Sequence, residues 1–299
     1  VTAIHAGPWE ITEPGVYEMT DADYHADLVP GGSLSVSGAR LLLPPSCPAR
    51  YAWQREHPPT PKPEYDRGHG AHRLALGVGP TIRVVDADDW RTKAARQART
   101  EAHAAGEVPL LAADYTDLVA MVAALRDHPI AGELLDPTRM VPEQSIFWRD
   151  PETGIMRRAR IDAVSQPDTA GPPYLVDYKT TRSGDPEHIS RALWHYGYAM
   201  QADWYITGNT AVELADPEAQ FLLIVQETEP PYVVGVMQPD DTALHIGHLR
   251  NRQAIDIYRA CTTAGRWPGH VPETEIRYVG LPPWAERQHT NTEYEEITL

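Results

Sequence analysis

In the stretch PPYLVDYKTTRSGD (Pro172 to Asp185), an acid and an ammonium, Asp177 and Lys179, stand where an apolar run ends. Side chains two apart on a strand share a face, so the pair would sit side by side at a strand end. Asp162 lies near the end of the preceding segment RRARIDAV, and Glu143 opens the strand-like segment before that. If these strands are neighbours, the three carboxylates converge, and bare carboxylates held together repel. Such a set calls for a cation, and a few carboxylate oxygens with water in the other positions suit Mg2+ or Mn2+. Lys179 beside them could orient a water and stabilise charge developing on a phosphate. Plainer roles stand next to these. Asp162 can be a strand acid bridged to Arg158 or Arg160, and Lys179 a strand-end lysine with its head in water. On the first view, neutralising Asp162 relieves repulsion and raises metal-free stability; on the second, stability stays level or falls.

Further along, Gln201 and Tyr205 are i and i+4 on one helix face, and Tyr198 and Trp194 extend the stripe. For Trp194 the preferred reading is an aromatic core position. The basic residues are scattered: Arg40 and Arg50 flank an early helix, and Arg157, Arg158 and Arg160 lie beside Asp162. An arginine fork suits a terminal phosphate better than a lysine does, so Arg40 or Arg50 can hold a nucleic-acid end, or equally be a solvated arginine.

The elements that must position these residues follow from pattern. EPGVYEMT, around a Pro-Gly turn, reads as a short hairpin or extended arm within residues 1–32. Ser35 or Ser37 can cap a short helix that Pro44-Pro45 stops. The proline-rich stretch from His57 to Gly68 reads as a loop, followed by a helix that Gly77 closes. Trp90 to Gly106 and Tyr115 to Asp127 read as helices. QSIFWRD and IMRRARIDAV flank the turn PETG as a hairpin, and YLVDYKT is the next strand. Pro186 to Thr207 reads as one helix, AQFLLIVQETEPPYVVGVMQ as two strands, and Asp241 to Ala264 as a last helix closed by Gly265. An acidic tail spans 286–299. The order predicts an α/β fold: a mixed β-sheet with helices on both sides, in a single domain over 1–299.

A chain of 299 residues with 42% hydrophobic and 23% charged residues can bury a sizeable core and is expected to be soluble. No apolar run approaches the ~20 residues that span a bilayer, and no secretory signal is apparent in the first residues, so a cytoplasmic location is expected. Cys47 and Cys261 form no CxxC, which suits a reducing compartment and excludes an all-cysteine metal centre. The net charge of −16 argues against coating nucleic acid with the whole surface, though not against a local basic groove.

Asp162 followed by VDYK resembles the PD-(D/E)xK nuclease superfamily in its Asp…Asp-x-Lys form. RGHGAHRLALG places His72 as the motif histidine of the RecB and RecE branches stands. EQSIFWRDPETGIMRRARID is similar to the acidic strand, turn and Arg-rich strand of RecE-type exonucleases, and WHYGYAMQADWY carries their Gln-x-x-x-Tyr. The order His, Glu, Asp, Asp-x-Lys, Gln-x-x-x-Tyr is the family's order, over roughly residues 33–285. The resemblance, to the RecE-like (exodeoxyribonuclease VIII-type) phage exonuclease branch, implies a restriction-endonuclease-like core with N-terminal helical embellishment. It implies that Asp162, Asp177 and the backbone carbonyl of Tyr178 ligate Mg2+ or Mn2+, with His72 as a further ligand and Glu143 reaching a second ion or its water. It implies that Lys179 works on the attacking water, and that Gln201, Tyr205, Tyr198, Arg160 and Arg40 or Arg50 border the DNA. The chain departs from relatives that carry an iron–sulfur cluster, having two cysteines, and it has no G-x-x-x-x-G-K-[ST] motif of a helicase.

The function so implied is metal-dependent hydrolysis of double-stranded DNA from its ends, 5′ to 3′, yielding single strands for recombination. A single-strand annealing protein is the implied partner and a ring-shaped homo-oligomer the implied assembly. The alternatives are a structure-specific endonuclease of the same fold and a catalytically silent module that binds DNA ends.

Overall fold

The computed structural model describes residues 4–6, 10–57, 63–167 and 171–293. Its strands are β1 (Ile4–Ala6), β2 (Gly15–Glu18), β3 (Leu34–Ser35), β4 (Ile82–Val85) and β5 (Val108–Leu111). They continue with β6 (Met140–Arg149), β7 (Met156–Ser165), β8 (Tyr174–Thr181), β9 (Gln220–Glu227) and β10 (Val234–Met237). The helices of the first half are α1 (Asp21–Ala26), α2 (Val36–Leu42), α3 (Pro48–Glu56), α4 (Pro63–Leu76), α5 (Lys93–Ala104), α6 (Ala112–Asp127) and α7 (Ala131–Leu134). Those of the second half are α8 (Pro186–His195), α9 (Tyr198–Val212), α10 (Asp241–Ala264) and α11 (Pro283–Glu293).

The PETG turn, with Gly154 at φ +73°, closes β6 against β7 in a long antiparallel hairpin. β7 pairs antiparallel with β8, and β8 parallel with β9 across the α8–α9 crossover. The main sheet runs β1-β2-β6-β7-β8-β9-β10, with β3 beside β7, and is therefore mixed. Along β8 the side chains alternate between two cores. Leu175 joins Trp204 and Met200 of α9 and Ile255 of α10, whereas Val176 and Tyr178 join Ala71 and Ala75 of α4 and Leu118 and Met121 of α6. Helices thus cover both faces, as the sequence pattern predicts. A third cluster, Ile11, Tyr17, Tyr24 and Phe147, fastens the N-terminal arm to the hairpin.

Several elements differ from expectation for identifiable reasons. The helix expected from Pro186 to Thr207 is two helices. Gly197 adopts φ +74°, the Tyr196 N–H closes back on Ala192, and α9 starts in a new direction and runs on to Val212. Isolated glycine in a helical pattern is tolerated often enough that it does not announce such a break. α4 begins at Pro63, inside the expected loop, since proline at a first helical turn lacks only an N–H that has no partner there anyway; residues 58–62 lie outside the described residues. Thr92 caps α5, so that helix starts later than Trp90. Of the two readings of the arm, the extended one holds: β2 pairs antiparallel with β6, and β1 runs parallel to β2. The small parallel pair β4–β5 was not apparent from two four-residue runs. The first part of the expected acidic tail is α11, and residues 294–299 lie outside the described residues. No helix among the described residues is long and apolar enough to cross a membrane.

Candidate active site

β7 and β8 pair through Ala163↔Val176 and Val164↔Leu175, and continuing that register by one sets Asp162 opposite Asp177. The ladder stops there. Instead of bonding across the strands, the Tyr178 N–H donates to Asp162 Oδ2 at 2.8 Å. On the other side, the β6–β7 register puts Glu143 opposite Asp162, between the pairs Pro142↔Ala163 and Gln144↔Ile161. Glu143 lies inside β6 rather than at its start and has φ +49°, a costly conformation for a side chain of this kind and one that concentrates at functional sites. Three acids on three adjacent strands therefore form a row.

Two helices close over that row. His72 comes from α4, with Nε2 3.0 Å from Asp162 Oδ2 and Nδ1 3.7 Å from Glu143 Oε1. α9 lies close against the sheet because residue 208 is glycine: a Cβ there would meet Ile146 Cδ1 at 2.7 Å and the Trp148 ring at 2.9 Å. Gln201 Nε2 on α9 donates to Asp177 Oδ1 at 2.8 Å and to Tyr205 Oη at 2.8 Å. The buried Tyr205 hydroxyl donates in turn to the Arg160 carbonyl at 2.7 Å. Gln201 and Tyr205 thus hold Asp177 and β7 to one helix. The result is a cleft of about 630 Å³ lined by His72, Glu143, Asp162, Lys179, Gln201 and Tyr205 among others.

The crowding expected of bare acids is relieved by the protein's own cations. Glu143 Oε2 is 2.6 Å from Arg160 Nη2, Asp162 faces His72, and Lys179 Nζ lies 2.6 Å from Asp177 Oδ2. Asp162 is bridged to neither Arg158, which pairs with Asp27, nor Arg160. The two central acids respond differently to burial. At Asp177 burial wins and pushes the carboxyl up to about 6; Asp162's charge adds to this and Lys179 opposes it. At Asp162 burial works the same way but is outweighed by the His72 charge and hydrogen bond, by Lys179 and by the Tyr178 N–H, which hold the carboxyl below its usual range. Burial also works against the Lys179 ammonium and the His72 imidazolium. Asp177 and Asp162 outweigh it at Lys179, and chiefly Asp162 at His72, so both keep their protons to higher pH than usual.

Among the described residues no three His, Cys, Asp or Glu side chains stand as a ready-made ligand set, each acid being turned toward a protein cation. One atom nevertheless fits a hard cation. Asp177 Oδ2 is fully buried and has the Lys179 ammonium 2.6 Å away as its counter-charge. With Asp162 beside it, the donors are the carboxylate oxygens that Mg2+ or Mn2+ prefers.

The remaining expected site residues divide. Tyr198, half-buried, has its ring centroid 5.6 Å from Lys179 Nζ. Arg160 lines the cleft but is committed to Glu143, Ser145 Oγ and the Met19 carbonyl. Arg40 donates to the Tyr196 carbonyl at 2.8 Å and Arg50 is exposed on α3; neither lines the cleft. Trp194 is not in the core: it is 56% exposed on α8, because the break at Gly197 separates it from the Gln201–Tyr205 face. His69 and His25 line the cleft and were missed. His69 stands three residues before His72 on α4, a same-face spacing that could have singled it out.

The Gln201–Tyr205 link gives a direct test. Gln201→Ala should lower phosphodiester hydrolysis at least tenfold while changing stability by less than about 1 kcal/mol, since Gln201 is half-buried and water can replace it. Tyr205→Phe takes from the Arg160 carbonyl the hydroxyl that donates to it and should cost about 1–3 kcal/mol in urea unfolding. A Gln201→Ala protein that is destabilised as much as Tyr205→Phe would make the amide a structural element only.

Residues 79–277 match the family described as a PDDEXK-like domain of unknown function (DUF3799). No curated protein matches the chain at a significant level. A crystal structure from Eubacterium rectale, of a protein titled "Putative exonuclease", superposes with a TM-score of 0.56 at 11% identity, covering 90% of this chain and 98% of that one. At that identity the likeness shows the fold: helices around a mixed sheet of the PDDEXK-like kind. A second structure, titled SSO0001, reaches a TM-score of 0.34 at 12% identity, over 80% of this chain and 79% of that one, and is too distant to carry an argument.

Proposed function

The chain belongs to the family of PDDEXK-like domains, and from that premise we propose that it is a divalent-metal-dependent deoxyribonuclease acting on the ends of duplex DNA. The observation that carries the reading is the row of Glu143 and the buried Asp162 and Asp177, with Lys179 at its edge, opening on a cleft. Asp177 Oδ2, fully buried with the Lys179 ammonium 2.6 Å away, adds an oxygen of the kind a hard cation takes.

Asp162 and Asp177 would hold the cation, with His72 and Glu143 at its margin. A divalent ion so held supplies Lewis-acid activation of water and neutralises charge at the phosphate. The chain's own residues do the rest. Lys179 presents a permanent positive charge where the pentavalent phosphate gains negative charge. Gln201 fixes the rotamer of Asp177, and Tyr205 fixes Gln201. Tyr178 directs one oxygen of Asp162 through its N–H, leaving the other oxygen for the ion. No side chain here forms a covalent intermediate on this reading; water is the nucleophile. Attack from duplex ends agrees with the motif order and with the word exonuclease in the name of the Eubacterium rectale protein, while the 5′ to 3′ direction and an annealing partner rest on the resemblance in motif order alone.

Incubation with linear and covalently closed circular duplex tests this, with Mn2+ or Mg2+ and with EDTA. Linear DNA should be degraded in the presence of metal, circles spared, and EDTA should abolish the reaction. Equal cutting of circles would make the protein an endonuclease of this fold, and no cutting of either would leave a silent end-binding module.

A further inference from the structure

At the break between α8 and α9, the exposed rings of Trp194 and Tyr196 precede the half-buried Tyr198 at the cleft. Tyr198 lies beside Lys179, with its centroid 5.6 Å from Nζ, and the Tyr196 ring follows at 5.7 Å, tilted by 33°. Tyr196 is 59% exposed and Trp194 56% exposed, so both rings are open to a partner. Two arginines attend the row. The Arg250 guanidinium of α10 lies 4.4 Å above the Trp194 ring, and Arg40 of α2 bonds the Tyr196 carbonyl.

Neither arginine forms an ion pair among the described residues, whereas Arg158, Arg160, Arg157 and Arg252 all do. The charge of Arg40 reaches Arg250, and with no ion-pair partner for either among the described residues, both guanidiniums are free to attract a bound anion. Flat rings that every base can stack on, alternating with unpaired cations that meet phosphates, are the composition of a track for single-stranded nucleic acid. A duplex does not fit this surface, since its bases are stacked inside and offer no face to the rings.

We infer that Tyr198, Tyr196 and Trp194, with Arg40 and Arg250, form a stacking ledge for a single DNA strand that leaves or enters the cleft. This rests on the nuclease reading for the identity of the strand, and it adds a binding surface beyond the reacting centre. The ledge reads no sequence: it has rings for bases and forks for phosphates, and no buried amide to discriminate one base from another.

Trp194→Ala/Tyr196→Ala tests the ledge, since both side chains are more than half exposed and the Arg40 bond is to a main-chain carbonyl. Affinity for a fluorescent oligothymidylate, measured by anisotropy in EDTA, should fall about fivefold or more for each ring removed. Arg250→Ala should flatten the dependence of log affinity on log salt by about 0.7, one phosphate contact. Hydrolysis of bis(p-nitrophenyl) phosphate, which reaches only the cleft, should be unchanged in all of these variants. Unchanged oligothymidylate affinity in the double variant overturns the ledge while leaving the nuclease reading intact. An equal loss of affinity for blunt duplex overturns it too, in favour of contact with the double helix. Absence of diester hydrolysis in the wild type counts against the nuclease reading alone, because the binding measurement does not depend on it.

Discussion

Lys179→Ala should cut phosphodiester hydrolysis by about 100-fold or more, the scale on which a single preorganised electrostatic donor acts. Nζ stands 2.6 Å from a fully buried carboxylate oxygen and is held charged by two acids, so its removal takes a positive charge from the place where the phosphate gains negative charge. Loss of the ammonium leaves Asp177 ionised with less compensation, which raises its already high carboxyl pKa further. The pH profile of the residual activity should therefore move to higher pH. Lys179→Arg keeps the charge but cannot place a compact ammonium at the same spot, and should recover only part of the rate. Steady-state rates for the three proteins between pH 6 and 9 decide the point. A Lys179→Ala enzyme with near-normal turnover would remove the lysine from the chemistry and leave the acids to act alone.

Much of this site is legible in the chain because its parts obey short-range rules. Asp177 and Lys179 share a strand face by spacing, and Gln201 and Tyr205 share a helix face in the same way. His72 is different: nothing local marks it, and only the order of motifs brings it into consideration, whereas Glu143 enters as an acid at the head of the strand before Asp162. The register that sets Glu143, Asp162 and Asp177 in one row is a long-range property of three strands. Where the expectation failed, the cause is a backbone state that side-chain pattern does not encode. Gly197 in the left-handed region ends a helix that the apolar spacing continues, and Trp194 moved from core to surface as a result. The partners of the arginines were equally hidden. Arg160 serves Glu143 across the β6–β7 hairpin, and Arg40 serves the Tyr196 carbonyl from a helix more than a hundred residues earlier in the chain.

The assignment of protein cations to acids also alters what neutralising each acid should do. The simple view, that removing any one of three crowded charges raises metal-free stability, holds for Asp177 and reverses for Asp162. Asp177 has a folded-state carboxyl pKa of about 6, above its unfolded value. Between roughly pH 4 and 6 the folded state therefore holds a proton that the unfolded state has released, and stability falls as pH rises through that window. Above it the buried charge remains a net cost. Asp177→Asn abolishes this slope and should raise the metal-free Tm at pH 8 by a few degrees, on the order of 1–2 kcal/mol. Asp162 is held below its usual range by His72, Lys179 and the Tyr178 N–H. Its charge stabilises the fold above the unfolded carboxylate pKa, and that stabilisation is lost as pH falls through the folded value. Asp162→Asn removes the charge that His72 and the Tyr178 N–H stabilise and should lower the metal-free Tm at pH 8. Both variants should lose hydrolysis and the rise in Tm that Mn2+ gives the wild type, about 2.7 kcal/mol when the ion is present at 100 times its Kd. Thermal melts of the three proteins in EDTA and in Mn2+, at pH 5 and pH 8, read all of these signs at once. A metal-induced rise that survives in both variants would place the ion elsewhere, and equal metal-free shifts in the two would mean that His72 and Lys179 do not divide the acids between them as the structure has it.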